Sequence, residues 1–224
     1  MKKRILSLFL LLSLFLFTST ALAQLTVNSD ITSNTTWGVA DSPVTVSETV
    51  TVTAGNTLTI DPGVTVLMGN GTSLFVDGAL VSVGTDTDGI IFTSSGTTPG
   101  DWGSVEFRNS SDAGSVIDYS TFEYGAGSDR SGMIFFTTDA FPVSIGNSTF
   151  RNSADHGINL RASSSDISNS FFYDNAGFGV FADLSLNFSI TNSEIYRNGE
   201  GGVRIPINSQ AVINESLIDT NGVG

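Results

Sequence analysis

Residues 167–180 read ISNSFFYDNAGFGV, with two asparagines, three phenylalanines and two glycines in fourteen positions, a mixture that suits neither an amphipathic helix nor an ordinary hairpin. The stretch is one copy of a repeat. Its pattern, Ile-x-x-Ser-x-Phe/Ile followed by Asn, recurs as Ile145/Ser148/Phe150/Asn152, Ile167/Ser170/Phe172/Asn175, Ile190/Ser193/Ile195/Asn198 and Ile213/Ser216/Ile218/Asn221. The serines are 22, 23 and 23 residues apart. A degenerate copy, Ile117/Ser120/Phe122, precedes the next by 28 residues, which implies a short insertion around Gly125 to Ser131. A glycine and an aliphatic residue close each unit, as Gly157-Ile158, Gly179-Val180 and Gly202-Val203. A fixed period of 20 to 50 residues decides architecture before local propensity does.

A unit of about 22–23 residues holding three short strands between Asn and Gly turns has the length of one coil of a right-handed parallel β-helix, an all-β solenoid. Alternation then sends Ile145, Phe150, Ile158 and Leu160 inward, with Ile167, Phe172, Val180 and Ala182 above them, then Ile190, Ile195, Val203 and Ile205. Asn169 stacks with Asn147 and Asn192, and Asn175 with Asn152, Asn198 and Asn221, so each column can pass amide hydrogen bonds between coils. A looser version of the pattern runs through Val44, Val46, Val50, Val52, Leu58 and Ile60, and on through Leu80, Val81, Ile90 and Phe92. Residues 24–39, with Trp37, form the expected N-terminal cap, 40–115 the looser coils and 117–224 the regular repeats, some eight or nine coils in all. The pattern stops partway through a coil at Gly224, as in a truncated solenoid. Trp102 is expected to cover one core layer beside the insertion.

Residues 1–23 combine Lys2-Lys3-Arg4, an apolar run from Ile5 to Phe17 and Ala21-Leu22-Ala23, the layout of a secretory signal peptide. The expectation is therefore a secreted or cell-surface protein without a membrane span. Cysteine is absent, which removes disulfides and thiolate metal sites. After residue 23 the chain has six arginines and no lysine against 22 acids, a net charge of −16. Such a field disfavours nucleic acid, anionic lipid and polyanionic polysaccharide. Neutral polysaccharide or a cell-surface component fits it, on a monomer.

The Ile-x-Asn-Ser-x-Phe-x-x-Asn unit with its Gly-x-Gly-Val close resembles the repeats of the pectate-lyase-like superfamily of parallel β-helices. The pieces Phe172 to Asn175 and Gly201 to Val203 are also similar to those of polymorphic outer-membrane autotransporter proteins, and Leu58 to Phe107 to the N-terminal coils of large secreted bacterial β-helix proteins. The resemblance implies the fold; the superfamily spans lyases, hydrolases, epimerases, adhesins and passenger stalks. Its lysine-dependent lyases need a lysine that the chain lacks. Of the polygalacturonase motifs only Asp155-His156-Gly157 and Arg204-Ile205-Pro206 give a faint echo, and no cluster of acids beside an arginine is visible in the sequence.

Counting from the repeated glycine gives two outward columns, Asn159/Phe181/Arg204 and Arg161/Asp183/Pro206. Arg161, Phe181, Asp183 and Arg204 thus form the candidate ligand-binding patch, suited to a glycan. The plainer reading of the same residues is an exposed ion pair worth under about 1 kcal/mol beside a surface cation–π contact. His156, the only histidine, reads as an exposed turn residue, since general acid–base work needs a partner held against it. Asp86 and Asp88 suggest a calcium loop, yet position 5 of an EF-hand begun at Asp86 is Ile90 and position 12 is Thr97; an Asp-Gly turn is the simpler account, and no cofactor is called for. Thr51-x-Thr53 and Thr57-x-Thr59 resemble the flat arrays of ice-binding solenoids but do not persist. The sequence therefore favours a stalk or adhesin-like interaction module, with a polysaccharide lyase or glycoside hydrolase as the alternative and ice binding as a remote third.

Overall fold

The computed structural model describes residues 24–108, 111–127, 131–137, 140–184, 187–206 and 208–222. The expected signal peptide lies outside the described residues, as does part of the expected insertion. Twenty-four short strands and one turn of 3-10 helix make up the described secondary structure. The strands lie in three parallel sheets of nine, eight and seven strands among the described residues. Each strand pairs with its equivalents one coil away, so the chain is an all-β parallel solenoid of about eight coils. We call the sheets A (nine strands), B (seven) and C (eight).

One coil shows how the sequence makes the corners. Ser144–Gly146 lies in sheet C, Thr149–Arg151 in sheet A and Ile158–Arg161 in sheet B. The next coil repeats this with Asp166–Ser168, Phe171–Tyr173 and Phe178–Asp183. The C-to-A corner turns on one left-handed residue: Tyr119, Asn147, Asn169, Asn192 and Glu215 have φ of 46°, 45°, 51°, 49° and 50°. Asparagine tolerates that conformation better than most residues. Sheet A ends on a second left-handed position, Asn152, Asp174, Arg197 and Thr220.

Inside, like residues stack on like. Ile145, Ile167 and Ile190 share one column of sheet C, while Phe92, Phe122, Phe150 and Phe172 stack under sheet A with centroids 4.5, 5.2 and 4.9 Å apart. Each such aromatic pair contributes about 0.5–1.5 kcal/mol beyond its buried area. The serine that marks the repeat forms a ladder. Ser120, Ser148, Ser170 and Ser193 each donate a backbone N–H to the Oγ of the next serine, at 3.1, 3.2, 3.1 and 3.2 Å. A second ladder runs from the Ser153 N–H to Asn175 Oδ1, from Asn175 to Asn198 and from Asn198 to Asn221, and the amide nitrogens bond the carbonyls of Phe150, Phe172 and Ile195. These bonds satisfy corner groups that the strands leave unpaired.

Three expectations are corrected. Asn152 does not join the buried ladder; Arg151 pairs with Tyr173, so Asn152 aligns with Asp174, and Ser153 takes the ladder position. Val81 faces outward because its neighbour Leu80 faces in, and adjacent strand residues point to opposite faces; the inward Ser82 is satisfied by Ser120 Oγ at 2.9 Å. Val203 is half-buried and Ile205 exposed, because no coil covers them among the described residues. The other inward positions named above are buried. Trp102 is fully buried, its indole N–H bonding the Glu123 carbonyl at 2.8 Å. Trp37 is buried too, and residues 24–39 contribute the edge strands Thr26–Val27 of sheet A and Thr35–Trp37 of sheet C.

Candidate functional site

The patch expected on sheet B is assembled in the expected register: Arg161 pairs with Asp183, and Phe181 lies between Asn159 and Arg204. Its contacts are loose. Arg161 Nε stands 3.9 Å from Asp183 Oδ2, and the Arg204 guanidinium lies 5.7 Å from the Phe178 ring rather than over Phe181. Asn159 is buried despite facing outward, with Nδ2 donating to Ser131 Oγ.

His156 is buried, against the expectation of an exposed turn residue. Phe181, one coil on, stacks on its ring at 4.7 Å, a cover that sequence neighbours cannot reveal. Nδ1 accepts the Phe178 N–H at 3.0 Å and faces Asp155 Oδ1 at 2.9 Å. A neutral ring accepts from Phe178 and an imidazolium donates to Asp155; the nitrogen cannot do both. Burial pushes the His156 pKa down, against the upward pull of Asp155 and Glu200 and with a further downward push from Arg204. Acceptance of the Phe178 N–H requires a bare Nδ1, which belongs to the neutral ring that burial favours.

Sheet A carries an outward array missing from the sequence reading. Glu123 accepts from Thr93 Oγ1 at 3.0 Å and from Arg151 Nε at 2.8 Å, and Arg151 reaches the Tyr173 hydroxyl at 3.2 Å. Tyr173 and Tyr196 stack nearly parallel, 5.1 Å apart, under the Arg197 guanidinium, which also holds Asp174 through bonds of 2.8 and 2.7 Å. That guanidinium keeps the Asp174 carboxyl below the usual carboxylate range. These acids beside arginines correct the impression that no such cluster exists. The signal was countable, because the column is the residue after each core position Phe122, Phe150, Phe172 and Ile195.

Beside this array the C-to-A corners border an open groove. One part, of about 390 Å³, runs from Asp86 and Gly89 past Tyr119 and Thr121 to Asn147. A second part, of about 250 Å³, runs past Asn192 and Glu194 to Glu215 and Leu217, and Asn169 and Phe171 line both. The Gly84–Gly89 segment that supplies Asp86 is a tight turn, in which Thr85 N–H bonds the Asp88 carbonyl and Asp88 N–H bonds Thr85 Oγ1. Thr87 donates to Asp88 Oδ2, and among the described residues no group of three His, Asp or Glu side chains could hold a metal. The threonine array ends within a coil, since Thr51 pairs with Phe75 and Thr59 with Val81. Among the described residues no helix is long and apolar enough to cross a membrane.

Fold and surface together define a parallel β-solenoid whose coils are tied by buried polar ladders and whose outer faces carry the variable side chains. Residues 103–224, more than half of the chain, match the family of right-handed β-helix regions, and the chain belongs to that family. Searches of curated proteins and of solved structures found no match.

Proposed function

We propose that this protein is a secreted or cell-surface β-helix that acts as a stalk or adhesin-like module, binding through its outer faces without chemistry of its own. One observation carries the reading: three outward carboxylates are each taken up by an arginine from a neighbouring coil. Asp77 is held by Arg108, Glu123 by Arg151 and Asp174 by Arg197. A general acid or base must present its lone pair or proton to a substrate, whereas these groups are turned toward each other along the solenoid. The signal-like residues 1–23 support an extracellular setting.

The alternative, a polysaccharide lyase or glycoside hydrolase, draws on the closeness of Glu123, Arg151 and Tyr173. Incubating the purified protein with neutral and acidic polysaccharides, and following reducing ends and unsaturated products, separates the two. The expected result is no turnover. Turnover that disappears in Glu123→Gln would establish the enzyme instead.

A further inference from the structure

We infer that the groove along the C-to-A corners is a binding site for a neutral polysaccharide laid along the solenoid axis. The inference rests on the interaction-module reading above and assigns that module its ligand class and its face. The groove touches six successive coils, from the one carrying Asp86 to the one carrying Glu215. At about 4.8 Å per coil it is roughly 24 Å long.

Its lining repeats with the coil. Asn147, Asn169 and Asn192 occupy one wall at equivalent positions, held in place by the left-handed corner. Each amide offers both a donor and an acceptor, as a sugar hydroxyl does. A wall that presents the same group at a constant step suits a ligand that is itself a repeating polymer. The amides are also oriented in advance, with Asn147 Nδ2 donating to Asp118 Oδ1 at 2.8 Å and Asn192 Nδ2 to Asn169 Oδ1 at 2.6 Å. Such preorganisation lowers the cost of ordering the site on binding.

Two residues on from Asn169, Phe171 keeps 41% of its surface exposed at the junction of the two parts. An exposed ring on a strand is a rigid apolar platform with little entropy to lose; the C–H face of a pyranose is its natural complement.

Charge selects within the class. The acids at the groove are Asp86, Glu194 and Glu215, and among the described residues neither an arginine nor a lysine lines it. A polyuronate or sulfated glycan would meet like charge at both ends of the groove. A neutral chain does not.

Affinity electrophoresis of the full secreted protein through gels containing soluble β-glucan, mannan, xyloglucan, dextran or polygalacturonate tests this. At least one neutral polymer is expected to retard the protein, and polygalacturonate is not. Phe171→Ala should weaken retardation about tenfold, the loss typical of a central contact residue, and Phe181→Ala reports on the sheet B patch in parallel. Asn169→Gly, which suits the left-handed corner, provides a second variant should Phe171→Ala unfold. Retardation lost in Phe181→Ala but kept in Phe171→Ala overturns the groove while leaving the interaction module standing. Preference for polygalacturonate, or retardation by no neutral polymer, overturns the inference outright. The interaction module itself fails only on turnover in the depolymerisation assay.

Discussion

Two columns of asparagine climb this solenoid, and they have opposite roles. Asn175, Asn198 and Asn221 point into a corner, where each oxygen takes bonds from the coil below and each nitrogen reaches a backbone carbonyl. Asn147, Asn169 and Asn192 sit on the opposite corner of sheet A with side chains at the surface. The first column is required by the backbone, because without it buried N–H and C=O groups lose their partners. The second is required only by a left-handed φ that other residues meet, as Tyr119 and Glu215 do in neighbouring coils. Repetition of a residue therefore does not separate scaffold from site; the direction of its bonds does.

The largest expected effect breaks the inner column. Asn198→Ala removes the acceptor of the Asn175 N–H and the donor to the Phe172 carbonyl, so urea unfolding should show a loss of about 3 kcal/mol. A smaller effect concerns His156, on the far side of the inner column's corner. Its folded pKa is depressed by burial, so the unfolded chain takes the proton first. The stability from this group is full above about pH 6.5 and is lost as pH falls through the window below it. Between roughly pH 7.5 and 5.5 the protein should lose more stability than His156→Phe does, as read by denaturation at both pH values. The smallest effect belongs to the outer column. Asn192→Gly keeps the left-handed corner and loses only surface bonds, so its stability should stay within about 0.5 kcal/mol of the parent.

Much of the fold was legible because a coil of constant length forces every inward position into register. Ile167, Phe172 and Val180 could be placed from one stretch of fourteen residues. Legibility failed where one residue of slip matters: Asn152 follows its phenylalanine by two residues and Asn175 by three, so a matching letter was mistaken for a matching position. The role of the repeat serine stayed hidden because a hydroxyl between strands reads as a turn residue, and only the stacked coils reveal its partner's N–H. His156 shows the same limit, since its cover comes from Phe181 in the next coil. The array on sheet A was open to counting, but the groove beside it arises where two sheets meet and belongs to no single strand.

The central claim is that the repeat supplies a scaffold and that binding resides in outward side chains. It is tested most directly by measuring melting temperature and polysaccharide retardation together on Asn198→Ala and Phe171→Ala. The account predicts that Asn198→Ala melts well below the parent while its folded protein is still retarded, and that Phe171→Ala melts with the parent and is retarded about tenfold more weakly. Equal loss of melting temperature in both variants, or an unchanged one in Asn198→Ala, would contradict it.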